Sequence, residues 1–164
     1  MTLLNEITIR PIAAVDDVML ASIIRNSLEE FGAARPGTVY FDETTDHLFN
    51  VFKRNRSAYF VAVKNDKVIG GAGFFPTEGL PDQTCELVKM YLSNEARGHG
   101  LGKILLQTCM KEAKKQGYNK MYLESMPELK TAIAMYTKAG FTHIEKAIGN
   151  SGHNGCSVWM IKDL

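Results

Sequence analysis

Apolar and polar residues succeed one another along the chain with periods that change from two to about three and a half and back. "EITIRPI" (6–12) alternates and is β-branched, which predicts a first strand closed by Pro11. From Asp16 or Asp17, either suited to cap a helix, "DVMLASIIRNSLEEFG" places Val18, Ile23, Ile24, Leu28 and Phe31 at helical spacing, and Gly32 stops the run. "AARPGTVYFD" reads as a loop and "TTDHLFNVFKRN" as a shorter helix. Two strands follow, "AYFVAVKN" and "KVIGGAGFFP", joined as a hairpin through "NDK". After the loop "TEGLPDQT" comes the strand "CELVKMYL". The segment from Gly100 to Gln116 then sets Leu101, Ile104, Leu105, Cys109 and Ala113 on one helical face, with Gly117 just beyond its end. "KMYLESM" is a strand, "LKTAIAMYTKAG" a helix stopped by Gly140, and "FTHIEKAI" and "CSVWMIKDL" are the last two strands. This order predicts one α/β (α+β) domain over residues 7–164, with a mixed sheet, a short extension at 1–6, and a β-turn-α unit at 85–117 as its centre.

The turn of that unit, "ARGHGLGK" (96–103), carries the chemistry. A Walker loop requires GxxxxGK followed by Ser or Thr, but Arg97 stands five before Gly102 and Ile104 replaces the hydroxyl residue. A dinucleotide turn requires GxGxxG; Gly98 and Gly100 supply the first half, the third glycine comes one residue early at Gly102, and Glu124 follows at a tolerable distance. What fits is R-x-x-G-x-G, met by Arg97, Gly100 and Gly102. Small residues there let backbone N–H groups converge on an anion, and the following helix adds its free first-turn amides and the positive end of its dipole. Arg97 and Lys103 add charge. Each glycine weakens helix entry by about 1 kcal/mol relative to alanine, a cost that makes sense when something uses the bare backbone.

Composition narrows the classes further. The 164 residues are 45% apolar and 23% charged, ordinary for a folded domain, and the net charge of +1 offers no bulk field for nucleic acid or an anionic membrane. Three cysteines, Cys85, Cys109 and Cys156, form no CxxC pair and no ligand spacing with the four histidines, so neither a metal site nor a disulfide framework is expected. Cys85 and Cys109 read as small apolar packers, His143 and His153 as ordinary loop or strand residues. "MTLLNEITIRP" lacks the charge and apolar pattern of a signal peptide, and no apolar run is long enough to span a bilayer. A cytoplasmic protein is the expectation, as monomer or homodimer.

With these motifs in place, the chain resembles the GNAT superfamily of acyl-coenzyme A N-acetyltransferases over nearly its whole length. "LVKMYLSNEARGHGLGKILL" is similar to that family's strand, pyrophosphate loop and helix, and "AIAMYTKAGF" to its later helix ending in Tyr-x-x-x-Gly-Phe. "ITIRP" and "VIGGAGF" match in order. The resemblance implies a largely antiparallel mixed sheet flanked by helices. It also implies acetyl-CoA as co-substrate without a metal, and an amine acceptor on a small molecule or protein.

By the same resemblance, the coenzyme site comprises the backbone of Met90 and Leu92 together with Arg97, Gly98, His99, Gly100, Leu101, Gly102 and Lys103. From Leu92 back to Glu86 is roughly 20 Å of strand, so an arm lying along it brings its thioester toward Glu86. Glu86 is the implied general base, since an acceptor amine must lose a proton, and Tyr136 the implied general acid for the leaving thiolate. An N–H of the 86–92 strand is the expected oxyanion donor. Simple alternation puts Glu86, Val88, Met90 and Leu92 on one face, opposite Lys89 and Tyr91, unless a bulge intervenes. Family members often carry Asn seven residues before this Tyr; here Leu129 stands there, and Ser125 or a backbone group is the substitute. The acceptor side is expected among Arg25, Glu29, Glu30, Phe31 and the "RPGTVYFDE" loop, with "GNSGHNGC" compatible with the same side. The competing expectations are a catalytically silent acyl-CoA-binding regulatory domain and a nucleotide-binding oxidoreductase, the latter disfavoured by the early third glycine.

Overall fold

A computed structural model describes residues 6–164. The extension expected at 1–6 lies outside them apart from Glu6, whose carboxylate pairs with Lys64 at 3.1 Å. Among the described residues seven strands form one sheet: β1 (Ile7–Pro11), β2 (Ala58–Lys64), β3 (Lys67–Phe75), β4 (Thr84–Leu92), β5 (Lys120–Ser125), β6 (Thr142–Ile144) and β7 (Val158–Asp163). Their order is β1-β2-β3-β4-β5-β7-β6, and all neighbours are antiparallel except β4 and β5. The helices are α1 (Asp17–Glu30), α2 (Leu48–Val51), α3 (Leu101–Lys115) and α4 (Lys130–Lys138).

The β2–β3 hairpin turns on Asn65 and Asp66, both at positive φ, the backbone that matches the right-handed twist of the flanking strands. Two apolar layers cover the sheet. Leu101, Leu105, Leu106, Cys109 and Ala113 of α3 pack with Tyr136 of α4 on one face. Leu20, Ile23, Ile24 and Leu28 of α1 pack with Leu48 and Phe52 on the other. Val18 stands 84% exposed, because the buried stripe of α1 runs through 20, 23/24, 27 and 28 and leaves position 18 on the far side.

The shorter helix expected over 44–55 is reduced to a 3-10 turn at Glu43–Asp46 and the single turn of α2. Likewise "FTHIEKAI" pairs only over Thr142–Ile144 before the chain leaves as a glycine-rich loop.

Two departures from regularity in β4 position everything functional. The first is a bulge. Gly71 faces Tyr91 and Gly73 faces Val88, so three steps on β4 match two on β3, and Lys89 takes φ 50°. The extra residue inverts the alternation expected from the sequence. Glu86 and Val88 keep the α1 face and Tyr91 joins it, whereas Met90 and Leu92 move to the α3 face with Cys85 and Leu87. The Lys89 carbonyl accepts a 2.7 Å hydrogen bond from the buried Tyr59 hydroxyl. Tyr59 belongs to β2, so its ring must cross β3 to arrive there. Glycine makes the crossing possible: a Cβ at Gly71 would meet the Tyr59 ring at 2.5 Å and one at Gly73 at 2.6 Å.

The second departure is a splay. β4 pairs with β5 only at Thr84, Cys85 and Glu86. From Leu87 onward β4 keeps β3 on one side and, among the described residues, no strand on the other, leaving a wedge between the two parallel strands whose β4 wall has no ladder partner.

Candidate active site

At the wide end of the wedge, the turn after β4 is shaped by its glycines. Gly98 (φ 79°) and Gly100 (φ 80°) are left-handed, and Gly100 is the residue that opens α3. Among the described residues, the amides from Gly98 to Lys103 donate to no backbone carbonyl; the first bond of the helix start is Ile104 N–H to Gly100 at 3.3 Å. Free amides, a helix N-terminus and exposed backbone together make an anion cradle. Around Gly98 a Cβ would meet nothing within 4 Å, so the cradle opens outward. Gly102 faces inward, where a Cβ would come within 3.1 Å of Met135 and 3.3 Å of Met90. His99 and Lys103 flank the turn, exposed.

The Arg97 side chain is spent elsewhere. Its guanidinium donates to Glu30 at 2.7 Å, to Ser27 at 3.0 Å and to the Leu92 carbonyl at 3.2 Å, and lies 4.7 Å from the Phe31 ring centre. Arg97 therefore ties the turn to the end of α1. Phe31 stands at this end of the molecule as its platform.

At the narrow end of the wedge lies Glu86, 3% exposed, its Oε1 accepting a 2.6 Å bond from the Thr77 hydroxyl. Burial pushes its carboxyl up to about 7; the Thr77 bond and the cations around it oppose that rise, and the nearby Glu124 carboxylate adds to it. Tyr122, paired with Glu86 across the β4–β5 junction, is fully buried and donates to Glu124 at 2.6 Å; Ser151 donates to the other Glu124 oxygen. Lys89 and Asp42 complete the cluster, with Nζ and Oδ2 3.5 Å apart, and His153 Nε2 lies 2.8 Å from the same Asp42 oxygen. Burial lowers the pKa of Lys89, while the bond from His153 holds Asp42 below the usual carboxylate range.

Four loops meet to close this region. The Gly155 amide donates to Gly37, the Asn150 amide donates to Glu78 at 2.7 Å, and Arg35 forms a two-pronged pair with Glu128 at 2.8 and 3.1 Å.

Tyr136, 7% exposed on α4, packs edge-on to Phe141 at 5.9 Å. Burial raises its pKa, so the phenol keeps its proton, and among the described residues no hydrogen bond contributes to that shift. Leu129, at the start of α4, packs with the α1-side cluster, and the Ser125 carbonyl accepts from the Ser157 amide. Arg25 and Glu29 are placed apart from Glu86. Arg25 grips Asp46 with two bonds and the Tyr40 carbonyl with a third, Glu29 accepts from the Tyr40 hydroxyl, and both line an open cavity of about 460 Å³ on the outer side of α1.

Sequence patterning marks none of Asp42, Thr77, Lys89 and His153 as site residues, and it offers Glu124 only as the acid of a dinucleotide turn. Only "GNSGHNGC" and "RPGTVYFDE", as polar loops, hinted at their segments.

Residues 21–141 match the model of the acetyltransferase (GNAT) family. The chain belongs to that family. It is similar to the uncharacterized N-acetyltransferase YjgM of Escherichia coli K12, at 37% identity over 94% of this chain and 93% of that one. Human N-acetyltransferase 8 is 29% identical over 68% of this chain and 52% of its own length. Among solved structures, a GNAT-family acetyltransferase from Staphylococcus aureus Mu50 superposes with a TM-score of 0.84 at 18% identity, covering 96% of this chain and 99% of that one. PaiA N-acetyltransferase from Thermoplasma acidophilum, solved with coenzyme A, has a TM-score of 0.75 at 21% identity, covering 96% and 99% of the two chains. The mixed, mostly antiparallel sheet is the GNAT architecture, and this GNAT chain is an acyltransferase of the N-acetyltransferase type.

Proposed function

We propose that this GNAT enzyme moves the acetyl group of acetyl-CoA to a primary amine by direct attack, with Glu86 as general base and Tyr136 as general acid. The observation that carries the reading is the position of Glu86: a buried carboxyl poised near 7, at the narrow end of a strand wedge whose wide end is an anion cradle.

The cradle fits a diphosphate, because its amides need no side chain between them and the ligand. The unpaired β4 wall fits the amide-bearing arm of coenzyme A, which would take the hydrogen bonds a neighbouring strand takes elsewhere. Met90 and Leu92 supply that backbone, with their side chains turned into the α3 layer. PaiA with coenzyme A, and a GNAT phosphinothricin acetyltransferase from Sinorhizobium meliloti with acetyl-CoA (25% identity, TM-score 0.74), give the ligand class its support.

A lysine-type amine has a pKa near 10.4 and arrives protonated. Glu86, with a pKa near the working pH, is matched to accept that proton. An N–H on the open edge of β4 meets the negative charge growing on the thioester oxygen. Tyr136, still protonated and free to donate, protonates the departing sulfur.

The test pairs thermal shift with turnover. Acetyl-CoA at 100 times its dissociation constant raises stability by about 2.7 kcal/mol, while ATP and NAD do not. An amine panel read by thiol release then identifies acceptors. Coenzyme binding with no turnover of any amine would instead indicate a silent acyl-CoA-binding domain.

A further inference from the structure

Lys89 is the oddest residue of the cluster. A charged side chain is placed on the bulge at φ 50°, a conformation that a non-glycine residue adopts only when the surroundings enforce it. Tyr59 enforces it by holding the Lys89 carbonyl, and β3 carries glycines so that Tyr59 can reach. An unbulged strand would turn Lys89 away from Glu86 into the α3 layer. The bulge delivers an ammonium to the acceptor face.

Once there, the ammonium is left underused. Lys89 is 9% exposed, and among the described residues its Nζ has one partner, Asp42, at 3.5 Å. Asp42 is already served at shorter range by His153 (2.8 Å), the Thr44 amide (2.9 Å) and the Thr44 hydroxyl (2.7 Å). An ammonium carries three donors, and a nearly buried one normally spends them. Among the described residues the buried side-chain atoms with no hydrogen-bond partner are Thr84 Oγ1 and Ser93 Oγ, and Lys89 Nζ is not one of them. Glu86 and Asp42 both favour its charged form against the effect of burial.

We propose that Lys89 receives a carboxylate carried by the acceptor, so that the substrate class is a primary amine that also bears a carboxyl group, an amino acid or a close relative. The carboxylate takes the unspent Lys89 donors while the amine is presented to Glu86. Arg35 contributes no such site, since Glu128 occupies both prongs of its guanidinium. This inference rests on the acetyl-transfer reading and adds the acceptor's second functional group to it.

The experiment compares matched amines: amino acids, their carboxamides and their decarboxylated counterparts, each with acetyl-CoA and thiol detection. Losing a charge-assisted hydrogen bond costs roughly 10- to 100-fold, so the carboxylate-bearing member of each set should lead in kcat/KM by that factor. Lys89→Met should erase the lead by lowering kcat/KM far more for the carboxylate-bearing amines than for their carboxamides and decarboxylated counterparts. Lys89→Arg should keep part of it. The wild-type comparison stands by itself even where Lys89→Met does not fold. Equal rates across the sets, or a lead for the decarboxylated amines, overturn the inference and leave acetyl transfer intact. No turnover of any amine overturns both.

Discussion

The two sides of the β4–β5 wedge offer different materials for recognition. On the α3 side the surface offered is backbone: amides from Gly98 to Lys103 and the open edge of β4, with glycines clearing the way. On the α1 side it is side chains: Glu86, Lys89, Asp42, His153 and Glu124, contributed by four separate segments and fixed by hydrogen bonds and an ion pair. Backbone recognition suits a ligand whose shape is constant. A side-chain mosaic can be revised residue by residue without disturbing the strand it stands on. The bulge at Lys89 is the hinge between the two, because it alone puts Glu86 and the Met90–Leu92 pair on opposite faces.

That division predicts which changes separate binding from chemistry. Glu86→Gln should show the largest effect, lowering amine-dependent thiol release on the order of 10²- to 10⁴-fold while leaving the acetyl-CoA thermal shift unchanged. Tyr136→Phe should cost on the order of 10²-fold in kcat, again with coenzyme binding kept. Gly100→Val attacks the other side: a β-branched residue at φ 80° is strained by about 1–2 kcal/mol, and acetyl-CoA affinity measured by calorimetry should fall about tenfold, with the pH profile of turnover unmoved. Tyr59→Phe leaves the buried Lys89 carbonyl unpartnered and should lower stability by about 1–3 kcal/mol in urea titration.

The smallest effects are in pH. In the free enzyme kcat/KM should rise through about 7 as Glu86 ionises. Thr77→Val removes a bond that favours the charged carboxylate, so this limb should move to higher pH. For stability the sign is opposite. A carboxyl raised from 4.5 to about 7 holds its proton in the fold after the unfolded chain has released it. Its contribution is present below the ordinary carboxylate range and is lost as pH rises through about 7. Glu86→Gln should flatten the melting temperature across that window.

The same contrast explains what could be read from the chain in advance. A backbone cradle demands glycines at set intervals, so Gly98, Gly100 and Gly102 announce it, as the strand and helix periods on either side announce the β-turn-α unit. The hairpin at Asn65–Asp66 and the stops at Gly32, Gly117 and Gly140 are legible for a similar reason: positive φ restricts residue type. The bulge is not, since Lys89 adopts positive φ without a glycine to mark it, and its cause lies in Tyr59, 30 positions away. His153 looked like a loop residue because its partner Asp42 is 111 positions distant. Arg97 read as a phosphate ligand, whereas its nearest anion is Glu30 on α1.

The most direct test is a crystal structure with acetyl-CoA bound. The account predicts the diphosphate within hydrogen-bond distance of the 98–103 amides, the arm along the open edge of β4, and the thioester beside Glu86. Bare amides at the turn, or a thioester emerging in the α3 layer with Glu86 out of reach, would contradict it.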